Sequence, residues 1–490
     1  MHYTRKIFTV GTCLLGLLPA LPATAAVFNV NDTTDLVDSN SADGICLTSD
    51  TTCSLRAAIQ QANALAGTHT INIPAGQFRL TLSGIGENAA ASGDLDVTAD
   101  VDIIGAGPDL TTIDAGGIDR VFHLLGTAPV VVSGVTIRGG AASDSTNTNF
   151  LGGGIYLESS AVLDLAHCAV TTNSANAGGG IFAQNSSDVA ISDCTFRDNS
   201  ALNLGFTNIQ GSAILTGGTM DLDRVEVSNN TASPTAGAVL ALNATSLAIR
   251  NSTISSNQDA GISIQNTEFD LINSTVIANS ANGMNFFSFS GLHPLTVRNS
   301  ILANNGAFDC NSFIHPAAMD FIGEYNLDSD GSCPLDDVPP TVDLPSTNPM
   351  LGPLALHGGH TRTHVPLVGS LVIDAGNNAR CEADDQRGAV RPLDVLGLGA
   401  TCDIGAVEVL PCDVAFNADE VLAFSQISGD DLIEACFTIT NGTTFRVLNG
   451  GNVTWRARDA MIFQNGFEIQ TGGTFTADFD PDAGSPINLP

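Results

Sequence analysis

An internal repeat constrains the fold of this chain more than any other feature. A short alternating apolar run, a small residue, a second apolar run and an asparagine recur through the middle of the sequence at short, nearly regular intervals. The segment Leu163–Asn173 matches Val189–Asn199 position by position, and Cys168 aligns with Cys194. The aligned asparagines are Asn173, Asn199, Asn230, Asn257, Asn279 and Asn305.

The repeat indicates stacked β-structure. Its apolar residues alternate with a period of two and are interrupted by Gly, Asn and Ser, with no helical period. A unit this short cannot bury its own apolar face, so successive units must share one core. The sequence therefore predicts an all-β, right-handed parallel β-helix of about thirteen coils, spaced by about 4.8 Å. A β-propeller needs blades of about 40–50 residues, which is longer than this repeat.

The same stacking predicts the roles of two residue types. The aligned asparagines form a ladder in which each amide hydrogen-bonds the next one. Glycine is expected at the corners, where the chain turns with positive φ.

The N-terminal segment from Met1 to Ala25 has the pattern of an export signal. Arg5 and Lys6 precede an apolar run that extends from Ile7 to Leu21, and Ala23 and Ala25 supply a small-residue cleavage site. No other stretch is long enough to span a membrane. We therefore expect a protein that is secreted or held at a bacterial cell surface, without a transmembrane segment after signal removal.

Both ends of a parallel stack need covers, because open edges invite strand addition. Ser54 is suited to cap a short helix in which Leu55, Ile59 and Ala62 share one face, with Gly67 ending it. The domain prediction is a signal peptide (1–25), a cap (26–66), a β-helix (67–410) whose end is distinct from about 348, and a C-terminal β-rich module (411–490).

Charge excludes several classes of function. The chain has 17 Lys+Arg against 51 Asp+Glu, a formal net charge of −34, so a nucleic-acid partner is excluded by repulsion from phosphate. Lys6 is the only lysine and leaves with the signal. The mature chain therefore has no lysine base, Schiff base or phosphate-loop lysine.

Removing Cys13 with the signal leaves ten cysteines, an even number that suits an oxidising compartment. They fall into local pairs, which predict structural disulfides. Cys168 and Cys194 align in adjacent coils, where parallel Cβ vectors suit a disulfide poorly. For this pair, a disulfide and two free thiols are both open alternatives. The pairs are Cys46/Cys53, Cys168/Cys194 (the open case), Cys310/Cys333, Cys381/Cys402 and Cys412/Cys436.

Three segments resemble known families. Cys53-Ser-Leu-Arg-Ala-Ala58, followed by Gly93-Asp-Leu-Asp96, resembles the CSLREA domain of bacterial secreted proteins, although Ala57 replaces the Glu of that motif. Asp385-Gln-Arg-Gly388 and Cys402-Asp-Ile-Gly-Ala406 resemble the choice-of-anchor Q domain, and Gly473-Thr-Phe-Thr-Ala477 resembles the three-coathanger stack module. The resemblance implies a pectate-lyase-like β-helix in families of mostly surface or secreted proteins. It implies no particular reaction.

The densest polar cluster lies near the end of the predicted β-helix. One interpretation is a carboxylate pair for glycoside hydrolysis or an acid–arginine lyase site. The favoured interpretation is a structural fastening that closes the last coils beside a disulfide, with no catalytic residue assigned. Its members are Asp374, Asp385, Arg387, Arg391, Asp403 and Glu408.

Two weaker patterns could bind metal. Asp94 and Asp96, near Asp100 and Asp102, are candidate Ca²⁺ ligands, and the alternative is solvent-facing aspartates on a strand. A second candidate is the histidine group His357, His360 and His364.

The sequence favours a noncatalytic, monomeric scaffold or adhesin-like protein that binds an extracellular glycan, matrix or cell-surface ligand and requires no cofactor. The alternative is a Ca²⁺-assisted polysaccharide lyase or glycoside hydrolase, which rests on fold analogy. Only Trp455, Tyr156 and Tyr325 remain in the mature chain as Trp or Tyr platforms for sugar stacking.

Overall fold

The computed structural model describes residues 25–41, 43–142, 150–202, 211–232, 237–287, 293–312, 319–335, 343–367, 369–393 and 400–410, together with the backbone of eight short strands between 421 and 479. The predicted signal peptide up to residue 24 lies outside these ranges, as do Cys412 and Cys436.

Three parallel sheets run side by side through the described body of the molecule, and each coil adds one strand to each sheet in chain order. Sheet 1 consists of Val27–Asn29, Thr68–Asn72, Asp100–Ile104, Pro129–Ser133, Val162–Ala166, Asp188–Ser192, Thr219–Asp223, Ser246–Arg250, Glu268–Ile272, His293–Arg298 and Met319–Glu324. Sheet 2 consists of Gly76–Arg79, Thr111–Asp114, Thr136–Arg138, Ala169–Thr171, Thr195–Arg197, Glu226–Ser228, Thr253–Ser255, Thr275–Ile277, Ile301–Ala303, Leu327–Asp328 and Leu344–Pro345. Sheet 3 consists of Leu95–Val97, Phe122–Leu124, Ile155–Leu157, Ile181–Ala183, Gly211–Thr216, Gly237–Leu242, Ala260–Gln265, Met284–Phe287 and Cys310–Ser312.

A small three-stranded sheet lies between sheets 2 and 3 in chain order, formed by Ala141–Ala142, Ser174–Ala175 and Ser200–Ala201. In-register pairing places equivalent residues above one another, such as Leu163 opposite Val189, and both are buried. Equivalent residues of successive coils form columns. Because side chains alternate between the two faces of a strand, every second column points into the shared core. This arrangement confirms the predicted parallel β-helix.

The predicted asparagine positions form a continuous buried ladder. The Asn173 Nδ2 donates to Asn199 Oδ1 at 3.1 Å, and the Asn257 Nδ2 donates to Asn279 Oδ1 at 2.8 Å. The backbone N–H of each of these residues donates to the same oxygen as its amide does. At the far end, Asn305 Nδ2 donates to Asp309 Oδ1 at 2.8 Å. Each buried amide is thereby satisfied within the stack, which avoids the cost of burying an unpaired polar group.

A second ladder, which the sequence reasoning missed, lies five residues before the first. The backbone N–H of Ser252 donates to Ser274 Oγ at 3.2 Å, and that of Ser274 donates to Ser300 Oγ at 3.2 Å. Cys168 and Cys194 belong to this column, where the Cys168 N–H donates to Cys194 Sγ at 3.2 Å. The hydroxyl or thiol of one coil thus accepts from the backbone of the previous coil.

Cys168 and Cys194 are free and buried, so the disulfide left open for this pair does not form. Each thiol instead donates to a backbone carbonyl two residues earlier, Cys168 to Ala166 at 3.2 Å and Cys194 to Ser192 at 3.1 Å. Disulfides form at three other predicted pairs, Cys46–Cys53, Cys310–Cys333 and Cys381–Cys402.

The turns beside both ladders use left-handed residues that are mostly not glycine. Thr172 has φ 54° immediately before Asn173, and Asn273 has φ 44° immediately before Ser274. Glycine takes this role only in an earlier coil, at Gly134 and Gly139. Glycine does occupy the corner before the strands of sheet 3, where Gly152 and Gly178 both have φ 62°, as expected. At the ladder turns the expectation fails, because ladder hydrogen bonds offset the roughly 1–2 kcal/mol that an L-residue loses in this conformation.

The N-terminal cap is the predicted helix, Leu55–Ala64. Ser54 Oγ accepts from the Ala57 N–H at 3.1 Å, and Leu55 and Ile59 are buried against the first coils. Such an N-cap contributes about 1 kcal/mol. Gly67 follows the helix with φ 120°.

The described residues 351–367, 369–393 and 400–410, named here the flank brace, do not form a further set of coils. Sheet 2 ends at Leu344–Pro345, and the brace then runs along the outer face of that sheet. Its only helical element among the described residues is the 3₁₀ turn Asn378–Arg380. The longest sheets of the described body therefore have eleven strands, fewer than the thirteen coils expected, because about 60 residues are used on the flank.

The C-terminal strands form a separate parallel stack, whose register places Asp430 opposite Asn452 and Asn452 opposite Thr474. Its three small sheets are Val421–Leu422 with Thr438–Asn441 and Ala460–Ile462; Asp430–Ala435 with Asn452–Ala457 and Thr474–Phe479; and Arg446–Val447 with Glu468–Ile469. Across the residues that the structure describes, no helix combines the length and apolar character needed to cross a bilayer.

Candidate functional site: buried charge networks and a side notch

The flank brace contains the polar cluster that the sequence singled out. Asp385 Oδ2 accepts from Arg387 Nε at 3.0 Å and from the Glu408 N–H at 3.0 Å, and both side chains of this pair are buried. Arg387 also donates to the backbone carbonyls of His357 and Glu408. The pair therefore joins three separate stretches of the brace.

A second buried pair lies beside the first. Arg391 Nη1 is 3.4 Å from Glu408 Oε2 and donates to the Asp403 carbonyl at 3.1 Å. Asp403 accepts from the backbone N–H groups of Asp374 and Val409, both at 2.6 Å. Burial, followed by the nearby Glu408 charge, raises the pKa of Asp403 to about 8, and burial also raises the pKa of Glu408.

The brace that holds the cluster lies along the flank of sheet 2, from Glu226 to Leu327, and so contacts middle and late coils alike. Gln386 Oε1 accepts from Thr253 Oγ1 at 2.5 Å, and the Ala406 N–H donates to Thr275 Oγ1 at 3.1 Å. Glu226, buried on sheet 2, accepts from Arg362 Nε at 3.0 Å. These bonds fix the brace across the outward face of sheet 2. Neither Glu226 nor Arg362 lies in a motif that the sequence alone singles out.

The three brace histidines each contact a different partner and do not form one ligand set. His364 Nε2 lies 2.9 Å from Ser255 Oγ, and its Nδ1 lies 2.7 Å from the Gly352 carbonyl. Burial lowers the pKa of His364 and keeps it neutral. His357 bonds Thr363, while His360 makes an edge-on contact with the ring of His167. The histidine metal hypothesis therefore has no geometric support.

The Ca²⁺ candidates Asp94 and Asp96 belong to a buried network beneath the cap helix. Asp94 pairs with Arg120, and Asp96 Oδ1 lies 2.9 Å from His123 Nδ1. Burial raises the pKa of Asp94 to about 7, although Arg120 opposes the shift. Asp100, together with Asp102, lies instead on the outer face of sheet 1, where Asp100 accepts from Thr68 at 2.8 Å.

Arg56 of the cap helix completes this network. It pairs with buried Asp35 at 2.6 Å and donates to the carbonyls of Gly93 and Asp94 at 2.9 and 3.1 Å. The helix is thereby bonded to the first strand of sheet 3. Arg120 and His123 each follow their aspartate partner by one coil length, which is the signal that could have found them in the sequence.

Ligand atoms of Asp94, Asp96 and His123 lie within 4.8 Å of one another. Ca²⁺ prefers six to eight oxygen ligands. Here one carboxylate already holds a guanidinium, and the other accepts from the Ala90 N–H at 2.9 Å. These residues do not fit Ca²⁺, and their partners give them a structural role.

A second acidic group, Asp309, Asp328 and Asp330, ends the asparagine ladder. Asp309 Oδ2 accepts from Ser329 Oγ at 2.6 Å, and Asp328 Oδ2 accepts from the Cys333 N–H at 2.8 Å. Burial raises the pKa of Asp328 to about 7. The carboxylates are thus occupied in fixing the last turns beside the Cys310–Cys333 disulfide.

An open notch lies at the C-terminal ends of three central strands of sheet 3, Ile181–Ala183, Gly211–Thr216 and Gly237–Leu242. Its volume is about 260 Å³, and the residues that line it include Phe182, Leu215, Gln184, Asn185 and Leu242. Gly217 forms its floor, and none of the described residues that line it is ionisable.

Comparison with family profiles agrees with the architecture. Residues 132–315 match the family profile described as the right-handed beta helix region. The chain is similar to pectate lyase Pel9A (TM-score 0.45, 11% identity, covering 79% of this chain and 97% of that one). It is also similar to the A-module of mannuronan C-5 epimerase AlgE4 from Azotobacter vinelandii (TM-score 0.41, 14% identity, 92% and 100% covered).

A third similar structure is pectin methylesterase PemA from Erwinia chrysanthemi (TM-score 0.27, 12% identity, 66% and 94% covered). Comparison with curated protein sequences gives no significant match. Together with the strand order, the family match defines the described body as a right-handed parallel β-helix.

Proposed function

We propose that this chain is an exported, noncatalytic β-helix scaffold that binds an extracellular glycan, matrix or cell-surface ligand along its sides. The observation that carries the proposal is the burial of the acidic and arginine side chains in the flank brace. Asp385, Arg387, Arg391 and Glu408 are fully buried or nearly so, and bond to one another and to the brace backbone. A catalytic pair must reach a substrate, and these groups reach only protein.

Two features support a rigid display role. Each ladder ties successive coils through bonds that neither solvent nor salt can readily replace, because the groups are buried. The flank brace hydrogen-bonds to three consecutive strands of sheet 2, at Glu226, Thr253 and Thr275, and packs apolar side chains against Ile301 in the fourth.

Export is supported by the N-terminal signal pattern and by three disulfides, which persist in oxidising compartments. N-terminal sequencing of the protein recovered from outside the cytoplasm is expected to begin at Ala26. An intact Met1 in that fraction would contradict cleavage.

The test of function uses the purified chain from Ala26 to Pro490 on pectin, alginate and neutral polysaccharides, with and without Ca²⁺. We expect retention on at least one immobilised polysaccharide or on whole cells, without release of product. A heat-unfolded sample controls for nonspecific adsorption. Product formation that depends on the folded protein would overturn the noncatalytic proposal in favour of a lyase or hydrolase.

A further inference from the structure

The notch on sheet 3 arises from one missing side chain in a stacked column. Strand register pairs Ala183 with Thr216 and Thr216 with Ala241, so the following residues Gln184, Gly217 and Leu242 occupy one column. Gln184 and Leu242 project side chains, whereas Gly217 between them has none. Neighbouring strands lie about 4.8 Å apart, so the gap between the two flanking side chains spans about two strand spacings.

The walls of the gap combine an aromatic face with amides. Phe182 is half-buried and precedes Gln184 by two residues, on the same outward face of the strand. Gln184 is fixed by Ser159 Oγ, which donates to its Oε1 at 2.8 Å, and by a bond to the Tyr156 hydroxyl. Asn185 is exposed at the rim. A small apolar surface with a few oriented polar groups is typical of a small-ligand site.

The volume of the notch and the lack of charge on its described lining limit the classes of ligand that it can bind. A cavity of about 260 Å³ is just below the 300–1,000 Å³ typical of sites for drug-sized ligands, so it suits one ring or the end of a chain. The described lining carries no charge, and the formal net charge of −34 disfavours anions. A neutral sugar ring has one apolar C–H face for Phe182 and hydroxyl groups for the two amides.

We propose that the Gly217 notch binds one neutral pyranose unit of a glycan. The proposal rests on the binding function proposed above and names its ligand class. Asn185 Oδ1 lies next to Gly217 on the side where a β-carbon would project, so the sugar ring lies against this amide, with its C–H face on Phe182 and its hydroxyl groups bonded to Gln184 and Asn185.

The test is saturation-transfer NMR and calorimetric titration of the mature chain with methyl glucoside, methyl galactoside, methyl mannoside and N-acetylglucosamine, with galacturonate as the charged comparison. We expect at least one neutral sugar to bind with a Kd on the order of 1–10 mM, and galacturonate to bind at least about tenfold more weakly. Absence of binding by all four neutral sugars, or equal binding of galacturonate, would overturn the proposal.

Two variants locate the site. Gly217→Val fills the notch: a β-carbon there would come 2.3 Å from Asn185 Oδ1, the movable end of an exposed side chain, and Gly217 has no positive φ to strain. It is expected to weaken sugar binding at least about tenfold, as is Phe182→Ala. Gln265→Ala, one coil beyond Leu242 in the same column, is the matched control and should change the Kd less than about twofold.

Melting curves establish that each variant is folded. If sugar binding is unchanged in both Gly217→Val and Phe182→Ala, the notch is not the sugar site, and the scaffold proposal is unaffected. Conversion of a bound glycan to product would instead refute the noncatalytic proposal and would not contradict sugar binding at the notch. The two failures are therefore distinguishable.

Discussion

The ladder turns and the flank brace bury polar groups against the same coils by different chemistry. The ladders use neutral amides, hydroxyls and thiols, each repeated once per coil, as in the bond from Asn230 Nδ2 to Asn257 Oδ1 at 3.0 Å. The brace uses charged pairs that occur once, such as Arg391 with Glu408. A neutral repeating bond can be extended by adding coils, whereas a buried ion pair depends on its one specific partner. The difference predicts which part of the molecule responds to single substitutions and which responds to pH.

The largest effect is expected from Arg391→Ala. Removing the guanidinium leaves Glu408 buried without its cation and removes bonds to the carbonyls of Asp403 and Gly405. Breaking a buried pair from one side costs about 3–5 kcal/mol. Chemical denaturation checks the loss, and hydrogen exchange should show it first in the brace. A loss below about 1 kcal/mol would show that the brace does not depend on this pair.

Asn257→Ala should destabilise the ladder by about 2–3 kcal/mol. The substitution removes the acceptor of the Asn230 backbone N–H, at 3.0 Å, and the donor to the Val227 carbonyl, at 3.1 Å. Denaturant midpoints measure the effect. Gln265→Ala removes an amide of similar size from a less buried position and should cost less than about 0.5 kcal/mol. Equal losses in the two variants would contradict the ladder's role.

The pH dependence separates the two regions further. Burial raises the pKa of Asp403 to about 8, above its value near 4 in an unfolded chain. The folded state therefore holds a proton that the unfolded state releases, so stability is full below about pH 4 and declines as pH rises towards about 8. For Asp403 alone this shift corresponds to a loss of about 3–4 kcal/mol between pH 5 and pH 8, measured by denaturation at each pH.

Asp403→Asn is the matched variant for this titration, since its amide cannot ionise. Its stability should be closest to that of the wild type at pH 5, where the wild-type carboxyl is protonated, and should exceed it at pH 8, because the amide does not share the loss caused by ionisation. Asp94, Asp259 and Asp328, whose pKa values burial also raises to about 7, contribute with the same sign in both proteins. An unchanged pH slope in the variant would refute the assignment to Asp403.

The smallest effects concern the second ladder. Cys194→Ala removes the acceptor of the Cys168 N–H and should cost about 1–2 kcal/mol. Cys194→Ser supplies a hydroxyl that can accept the Cys168 N–H, as the hydroxyls of Ser252 and Ser274 accept a backbone N–H in the same column. This variant should therefore lose less stability than the alanine variant. Burial raises the pKa of the Cys194 thiol well above its usual range, so iodoacetamide should leave it unmodified in the native protein. Thermal unfolding and mass spectrometry provide these measurements, and a serine variant no more stable than alanine would argue against this ladder.

The sequence predicted what is local or periodic. The asparagine ladder repeats once per coil, so its positions from Asn173 to Asn305 can be aligned without any coordinates. The cap helix could also be predicted, because Ser54 and the apolar face that follows it lie within a few residues. The serine and cysteine column has the same spacing, but its residue types change along the stack, which concealed it.

The position of the brace and the notch could not be predicted in the same way. Gln386 meets Thr253 across 133 residues of chain, and no local pattern encodes that contact. Gly217 lines a cavity because the strand register places Gln184 and Leu242 on either side of it. The coils that bring these residues together differ in length, so no fixed spacing in the sequence reveals the column.

By itself, the sequence determined that the chain stacks as a parallel β-helix, because a short apolar repeat must share its core with its neighbours. The tertiary structure alone decided that the charged segment folds back along the flank and that one glycine opens a gap in a column. Both depend on contacts between residues far apart in the chain, whose energies exist only once the coils are in register.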